Sequence, residues 1–445
     1  MNIHFIAIGG AAMHNLAIAL QKKGYQITGS DDEIYEPAKS ALQKSGILPE
    51  NSGWFPEKIT QNLNAVILGM HAKADNPELL KAQELGLKIY SYPEFLMEQS
   101  KDKTRVVIAG SHGKTTITAM ILHVLNFHQI KVDYMIGAPV QGLDCMVELT
   151  QENDFIILEG DEYLSSALDS RSKFLHYHPN ICLISGIAWD HINVFKNFEN
   201  YVDSFRELLQ SITSGGILVY NEEDKTLVQL VENAENYFRK IPYKTPDYHL
   251  KNGITNLETD LGDVPLQIFG AHNLQNLEGA KNICAQLGIL DSDFYEAMMS
   301  FFGAAKRLEQ VTRKDDAVVY KDFAHAPSKV LATVDAFVEK FEGKKTIGFL
   351  ELHTYSSLNP AFLPNYKNTL QKLNQAIVFY DEDALKIKNM PPISPEIIRE
   401  NFGREDLIVF TNREELHDFW NGFDKNSAAI LMMSSGNFGG LDLEN

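Results

Sequence analysis

The chain has 445 residues and a formal net charge of −19 at pH 7, a length that suits about three domains of ~150 residues each. Such an acidic surface disfavours a general nucleic-acid binder, so anionic ligands must meet locally basic or N–H-rich sites. The three cysteines, Cys145, Cys182 and Cys284, lie far apart and form neither a disulfide framework nor a zinc pattern. With no basic-then-apolar leader and no apolar run of about 18 residues, we expect a cytoplasmic protein without a membrane partner.

The first hundred residues follow a strand–helix–strand pattern. Residues 3–8 form an apolar strand, a glycine turn opens a helix to about residue 23, and a second strand covers 26–29. Glycines at such a turn, with an acidic side chain about twenty positions later, are typical of nucleotide-diphosphate sites. The candidate binding residues are Gly9, Gly10, Ala11, Ser30 and Asp31.

This glycine fingerprint is incomplete. Ala7 and Ala12 occupy two of its three glycine positions, so NAD is no better supported than another nucleotide diphosphate. A turn that serves only helix–strand packing is the other alternative. His71 follows a further strand, 65–69, at the end where open α/β sheets bind ligands, and is either a ligand contact or a plain loop residue.

The clearest functional signal lies between an apolar strand at 105–109 and a helix with three-to-four apolar spacing. The candidate phosphate-binding residues are Gly110, Ser111, His112, Gly113, Lys114, Thr115 and Thr116. Glycines let backbone N–H groups turn toward an anion, Lys114 reaches the outer phosphates, and Thr115 can hold Mg²⁺. The strict pattern has glycine where this chain has Ile108, so a tight turn with an incidental lysine is the alternative. We predict a nucleoside-triphosphate site.

An acidic residue closes the next buried strand. Glu159 directly ends that strand and is the first choice for the carboxylate that joins Thr115 on Mg²⁺, with Glu162 second. A solvated acidic loop is the alternative. A further strand leads to Asp190 and His191, a pair that can hold or orient a second metal ion.

Polar side chains in the second half of the chain lie at helix starts and strand ends. Asn273 and Asn276 share one helix face and suit an adenine edge, with helix capping as the alternative. Asp322 closes a strand and can by itself cap a helix. Four strands then alternate with helical stretches, at 345–350, 375–380, 406–410 and 428–433. We therefore predict an α/β protein with a Rossmann-like domain at 1–101, a P-loop ATPase domain at 102–302 and a Rossmann-like domain at 303–445.

Six motifs resemble, in this order, those of the Mur ligases, the ATP-dependent amide-forming enzymes of peptidoglycan synthesis. They are the segments 110–116, 159–162, 190–191, 270–276, 306–307 and 322–327. The glycine turn and residues 29–31 resemble the branch that takes UDP-N-acetylmuramic acid. Within that branch, residues 35–37, 169–177 and 434–440 resemble the enzymes that add the tripeptide L-alanyl-γ-D-glutamyl-meso-diaminopimelate.

This resemblance covers nearly the whole chain and implies an ADP-forming ligase that makes an acyl phosphate and then an amide. It implies that the catalytic residues are Lys114, His191, Arg307 and Asp322. It implies Mg²⁺ on Thr115, Glu159 and His191, and ATP on the cradle together with Asn273, Asn276, Arg307 and Asp322. For the acceptor it points to His325, His353, Ser434 and Gly436.

Two alternatives remain open. L-Alanine in place of the tripeptide would make the protein the first peptide-adding ligase of wall synthesis. A non-catalytic protein that binds UDP-sugar and ATP is the other, and departures from the family pattern near His191 and at Lys321 are its support. A nicotinamide oxidoreductase does not explain the lysine cradle.

Overall fold

The computed structural model describes residues 1–140, 142–143, 145–189, 194–195, 197–303, 307–314 and 317–443. The predicted pair Asp190 and His191 therefore lies outside the described residues. Within these ranges the strands form four sheets, three of which are mostly parallel. Because parallel neighbours need crossover connections, helices alternate with the strands, and the predicted α/β class is confirmed.

The first sheet is parallel and has the order β2-β1-β3-β4. Its strands are β1 (Asn2–Ile6), β2 (Gln26–Ser30), β3 (Ala65–Leu68) and β4 (Ile89–Ser91). Its helices are α1 (Ala11–Lys22), α2 (Ala38–Lys44), α3 (Pro77–Glu84) and α4 (Tyr92–Ser100). The chain leaves β1 toward one side and returns as β3 on the other. A crevice at the carboxyl ends of β1 and β3 is therefore the expected ligand position.

A fully buried hydrogen bond between an imidazole and a carboxylate holds this first sheet to its helices. His4 Nε2 on β1 lies 3.2 Å from Glu78 Oε2 at the start of α3, and both side chains have no exposed surface. Glu78 also accepts a hydrogen bond of 2.7 Å from the Phe55 N–H. Burial raises the pKa of Glu78, but its hydrogen bonds, that from His4 foremost, lower it by more, so its net pKa lies below the ordinary value.

We expect Glu78→Gln to lower the free energy of unfolding by about 2 kcal/mol at neutral pH, because buried donors lose a charged acceptor. A carboxylate with a lowered pKa stabilises the fold fully above its ordinary value of 4.5, and this contribution fades as the pH falls through the lowered value. Urea unfolding at several pH values measures both effects. Glu84→Gln, at an exposed pair with Lys81 on the same helix, is the control and should change stability by less than about 0.5 kcal/mol. Equal losses in the two variants would contradict the prediction.

The second sheet has the order β11-β10-β9-β5-β8-β6-β7, and its pairs are parallel except β6–β7. Its strands are β5 (Thr104–Ala109), β6 (Asp133–Met135), β7 (Val147–Glu148), β8 (Phe155–Glu159), β9 (Ile181–Ile184), β10 (Gly216–Asn221) and β11 (Phe238–Tyr243). Its helices are α5 (Lys114–Phe127), α6 (Phe198–Ser211) and α7 (Lys225–Glu232). Residues 105–109 of β5 are all buried, as its continuous apolar run predicts for a central parallel strand.

The remainder holds a small antiparallel sheet and a larger mixed one. The small sheet consists of β12 (Tyr248–Lys251), β13 (Ile254–Leu257) and β14 (Val264–Leu266), followed by α8 (Ala271–Gln286) and α9 (Asp291–Met298). The larger sheet has the order β15-β16-β20-β17-β18-β19, and only its β15–β16 pair is antiparallel. Its strands are β15 (Glu309–Lys314), β16 (Ala317–Asp322), β17 (Lys345–Glu351), β18 (Gln375–Phe379), β19 (Ile408–Phe410) and β20 (Ala428–Met433). Its helices are α10 (Pro327–Lys340), α11 (Glu382–Ile387), α12 (Pro395–Phe402) and α13 (Arg413–Gly422).

The chain divides into two compact units. The first comprises Met1–Ile187, Glu199–Tyr243 and Asn282–Leu287, and the second Ala188–Phe198, Lys244–Lys281 and Gly288–Asn445. One mostly parallel sheet falls in each of the predicted ranges 1–101, 102–302 and 303–445, while the domain boundaries themselves stay a prediction. Of the helices that the structure describes, none combines the length and the apolar character that a membrane crossing requires.

Candidate active site

The predicted phosphate cradle is a tight turn between β5 and α5. Gly110 has φ 123° and Gly113 has φ 80°, both in the left-handed region that favours glycine. A Cβ added at Gly110 would lie 2.2 Å from Ser185 Oγ and 2.9 Å from the Ser185 backbone nitrogen. Glycine is therefore required here for both conformation and space, and the turn carries the N-terminus of α5 at the carboxyl end of the sheet.

Lys114 begins α5 and is held on the inner side of the turn. Its Nζ lies 2.7 Å from Glu162 Oε2 and donates to the Gly110 carbonyl oxygen at 2.8 Å. The side chains of Lys114 and Glu162 are 11% and 1% exposed. Burial lowers the pKa of Lys114, but nearby carboxylates, Glu162 foremost, raise it by more, so the ammonium stays charged. A cation is thus fixed where the outer phosphates of a nucleotide would lie.

Two oxygen ligands meet beside this lysine. Thr115 Oγ1 donates to Glu159 Oε1 at 2.7 Å, and the Gly137 N–H donates to Glu159 Oε2 at 2.8 Å. Burial and the Asp161 carboxylate raise the pKa of Glu159, while its hydrogen bonds oppose that rise. Ligand oxygens that share one Mg²⁺ ion lie about 3 Å apart, since Mg–O bonds are 2.0–2.1 Å. The pair therefore fits the predicted Mg²⁺ ligands.

A buried hydroxyl network, which the sequence did not predict, supports the lysine partner. Tyr201 on α6 has no exposed surface, and its Oη donates to Glu162 Oε1 at 3.2 Å. The same Oη lies 2.8 Å from Ser111 Oγ in the cradle. The tyrosine is far from the motif in sequence. Its place in the apolar stripe of α6 predicts burial but does not indicate which residues it contacts. It links the carboxylate that holds Lys114 to the phosphate turn.

The N-terminal glycine turn and Asp31 come together as predicted. The Gly9 N–H donates to Asp31 Oδ2 at 2.7 Å, and a Cβ at Gly9 would lie 2.9 Å from that oxygen. Gly10 precedes α1 and, having no side chain, leaves the first N–H groups of that helix without a side-chain cap. Burial, the largest cause, raises the pKa of Asp31 to about 6. The turn therefore places uncapped helix N–H groups next to a carboxylate whose pKa is raised.

The remaining N-terminal candidates lie around the same turn. Ala7 has φ 66°, which explains why the fingerprint normally places glycine at that position. Ser30 is buried at the end of β2, and Ala11 is exposed at the start of α1. His71 is exposed in the turn after β3.

The predicted adenine and phosphate contacts of the second half of the chain all belong to the second unit. Asn273 and Asn276 are each 8% exposed on α8, and Asn273 Nδ2 donates to the Phe269 carbonyl oxygen at 3.0 Å. The Arg307 guanidinium lies over the Phe323 ring, 4.7 Å from its centroid. Stacking on the ring holds the guanidinium plane without using its N–H donors.

Asp322 ends β16 with its carboxylate engaged by its own unit. It accepts hydrogen bonds from the N–H groups of Leu308 (2.8 Å) and Ala324 (2.7 Å) and from Thr333 Oγ1 (3.3 Å). These bonds do not cap α10, whose N-cap residue Ala326 makes no side-chain cap hydrogen bond, so the capping alternative is wrong and the nucleotide role of Asp322 stays a prediction. Leu308 directly follows Arg307, so Asp322 also fixes the backbone that carries the guanidinium.

The predicted acceptor residues surround another carboxylate. Glu351 at the end of β17 is 4% exposed and accepts hydrogen bonds from Ser434 Oγ and from the Phe438 N–H (2.9 Å). A Cβ at Gly436 would lie 2.8 Å from Glu351 Oε2. The glycine loop thus wraps a carboxylate of the protein itself, which sequence reasoning missed.

Two histidines complete the acceptor set. His353 Nδ1 lies 3.8 Å from Glu351 Oε1, and His325 Nδ1 lies 2.8 Å from the Phe323 carbonyl oxygen. The acceptor role of these residues stays a prediction. The first unit brings the cradle together with Glu159, while His191 lies outside the described residues.

Comparison with known proteins finds two family models, both of the Mur ligases, that match consecutive ranges within residues 2–284. The model of the Mur ligase family catalytic domain matches residues 2–104, and that of the Mur ligase middle domain matches residues 108–284.

Curated relatives and solved structures extend the similarity over the chain. UDP-N-acetylmuramate–L-alanine ligase of Caldicellulosiruptor bescii is 30% identical over 408 residues, covering 88% of this chain and 86% of that one. The protein of the same name from Aquifex aeolicus is 27% identical, covering 93% and 92%. Among solved structures, UDP-N-acetylmuramate–alanine ligase of Thermotoga maritima has a TM-score of 0.73 at 20% identity, covering 98% and 96%. A murein peptide ligase of Psychrobacter arcticus has a TM-score of 0.67 at 21% identity, covering 99% and 97%. At these identities the solved structures establish the fold alone.

Proposed function

Since this chain belongs to the Mur ligase family of ATP-dependent peptidoglycan ligases, we propose that it joins the carboxylate of UDP-N-acetylmuramic acid to the amine of L-alanine. The observation that carries the ligase chemistry is the convergence of Lys114, Thr115 and Glu159 at the carboxyl end of the central sheet. The named curated relatives, both L-alanine ligases, support the choice of acceptor.

The cradle is the proposed site of ATP. The N–H groups of the glycine turn and of α5 would hold the phosphates, and the Lys114 ammonium would exchange Glu162 for phosphate oxygens. Arg307, Asn273, Asn276 and Asp322 stay proposed nucleotide contacts, on the resemblance of their motifs to those of the family. A guanidinium stacked on Phe323 keeps its planar donors available for phosphoryl charge.

The reaction proposed has two steps. The lactyl carboxylate attacks the γ-phosphorus of ATP, giving an acyl phosphate and ADP; the amine then attacks the acyl carbon and phosphate leaves. Lys114 stabilises the negative charge that develops in the first step. Thr115 and Glu159 would hold Mg²⁺, and the ion would supply positive charge at the phosphates. His191 is the proposed ligand of a second Mg²⁺ ion.

The UDP end of the substrate is proposed to bind at the N-terminal turn. Gly10 and Ala11, at the start of α1, would present backbone N–H groups to the diphosphate. The Gly9 N–H holds Asp31, whose carboxylate is the proposed acceptor for a ribose hydroxyl. Ser30 and His71 lie at the ends of the flanking strands.

The acceptor requires a choice between L-alanine and the tripeptide. Sequence analysis favoured the tripeptide, mainly on residues 169–177 and 434–440. In the structure Phe174 and Tyr177 have no exposed surface, and Phe438 is 2% exposed within an apolar cluster. These three aromatic side chains therefore contribute interior packing, which both kinds of ligase need, and they give no direct argument for a peptide contact. The relatives support L-alanine as the proposed acceptor, and the tripeptide stays the second candidate.

Phosphate release from MgATP in the presence of UDP-N-acetylmuramic acid tests the proposal, with L-alanine or the tripeptide as acceptor and mass spectrometry of the product. Release with L-alanine supports it. Release with the tripeptide alone would move the protein to the second candidate. Binding of UDP-N-acetylmuramic acid and ATP without release under any combination would favour the non-catalytic alternative.

A pH dependence should follow from Asp31. Since burial raises its pKa to about 6, its carboxylate is mostly ionised above pH 6 and becomes a weaker acceptor below it. We expect the KM for UDP-N-acetylmuramic acid to rise as the pH falls through 6. In Asp31→Asn this KM should be higher at every pH and should not rise as the pH falls through 6. Initial rates from pH 5 to 8 measure this, with Asp102→Asn, at an exposed aspartate that does not contribute to the shift of Asp31, as control. A wild-type pH profile retained in Asp31→Asn would overturn the assignment.

A further inference from the structure

A second group of side chains with metal-ligating atoms lies in the first unit and shares no residue with the phosphate cradle. Glu94 on α4, Asp169 in the loop after β8 and His176 in a 3₁₀ turn each offer one ligand atom, and these atoms all lie within 4.8 Å of one another. Two carboxylates and an imidazole form a donor set that Zn²⁺ accepts. Mg²⁺ prefers oxygen ligands alone.

His176 gives an independent indication of a ligand. The residue is 7% exposed, and its Nε2 is buried and makes no hydrogen bond. That nitrogen nevertheless lies 3.1 Å from Asp169 Oδ2, out of line for a hydrogen bond. Ligand atoms that share one zinc ion lie about 3 to 3.5 Å apart, because each bond is about 2.0–2.2 Å long. The spacing fits two ligands of one ion.

Hydrogen bonds fix both carboxylates of the cluster. Asp169 accepts hydrogen bonds from Arg171 Nε and Nη2, and the Arg171 side chain is 60% exposed. Glu94 is fixed by Ser91, whose N–H and Oγ both donate to its Oε2 at 2.7 Å.

Space is available next to the cluster. A cavity of about 380 Å³ is lined by Glu94, Asp169, Arg171 and Ser166, among others. Waters or a small anion in this cavity can complete the coordination that three protein ligands leave open.

We propose that Glu94, Asp169 and His176 form a binding site for a divalent transition-metal ion of the Zn²⁺ type, separate from the Mg²⁺ of the nucleotide. The ion would join α4, which belongs to the N-terminal sheet, to the loop that follows β8. Its role would be structural, because none of the three side chains belongs to the proposed ATP or UDP-sugar site. The inference does not depend on the proposed acceptor.

Equilibrium dialysis of the full chain against ZnCl₂ tests the site, after chelator treatment and with excess MgCl₂ to occupy the nucleotide site. Wild type should bind one equivalent of Zn²⁺, with a higher affinity than that of His176→Asn. The loss in affinity should exceed the roughly 10- to 100-fold that removal of a residue merely supporting a ligand causes. Zn²⁺ should also raise the melting temperature of wild type more than that of the variant.

His249→Asn is the matched control. This exposed histidine lies 3.1 Å from Glu258 and 3.5 Å from Asp263, so it is also flanked by two carboxylates, and its loss should leave the tight equivalent in place. Glu94→Gln provides a second variant in which the helix cap is kept, since glutamine also serves in a capping box. Equal Zn²⁺ binding by wild type, His176→Asn and Glu94→Gln would overturn the proposal.

Discussion

Lys114→Met is expected to lower kcat by about 100- to 1,000-fold, the usual effect of removing one group that stabilises transition-state charge. The ammonium is buried, stays charged, and lies at the start of α5 beside the phosphate turn. Phosphate release at saturating substrates measures the loss. A variant that keeps more than a tenth of the wild-type kcat would contradict the role given to Lys114.

A loss of folding has to be separated from this loss of chemistry. Lys114→Met leaves Glu162, which is 1% exposed, without its ion-pair partner, and an unpaired buried charge is strongly destabilising. The double variant Lys114→Met/Glu162→Gln removes that charge and should recover stability without recovering activity. Lys173→Met, at a partly exposed pair with Asp161, is the matched control and should retain kcat within about threefold, since exposed pairs contribute little.

Glu159→Gln is expected to raise the Mg²⁺ concentration for half-maximal activity by about 10- to 100-fold or more, because a charged oxygen ligand is lost. The raised pKa of Glu159 adds a pH dependence. Protons compete with Mg²⁺ for this carboxylate, so the wild-type requirement should fall as the pH rises. In Glu159→Gln the Mg²⁺ concentration for half-maximal activity should be high and should not depend on pH.

Glu162→Gln separates the two acidic candidates of the strand end. Glu162 holds Lys114 and Tyr201, whereas Glu159 contacts Thr115. Titration of activity with MgCl₂ should therefore show a requirement in Glu162→Gln within about threefold of wild type, since no ion ligand is removed. A larger shift in Glu162→Gln than in Glu159→Gln would reverse the assignment.

Local sequence determined the strands, glycine turns and helix starts, because each of these depends on residues that are close together in the chain. A continuous apolar run makes β5 a central parallel strand, and Gly110 and Gly113 adopt backbone angles that other residues rarely take. Lys114 and Thr115 then follow at the start of a helix by spacing alone. The same holds for the turn at Gly9, and for the alternation of strands and helices that fixed the α/β class.

The partners of these residues were decided by tertiary structure, because they depend on which strand ends and helices become neighbours. Tyr201 lies on a helix far along the chain, and no spacing rule connects it to Ser111 or Glu162. Asp322 had two possible roles in sequence, and in the structure its carboxylate joins three donors from different segments instead of capping α10. The aromatic side chains of residues 169–177 are buried. Their presence in the sequence therefore does not indicate which acceptor the protein binds. Sequence identified the residues that can hold an anion or a cation, whereas packing decided which buried charges face one another, because a buried charge is stable only with a partner that the fold supplies.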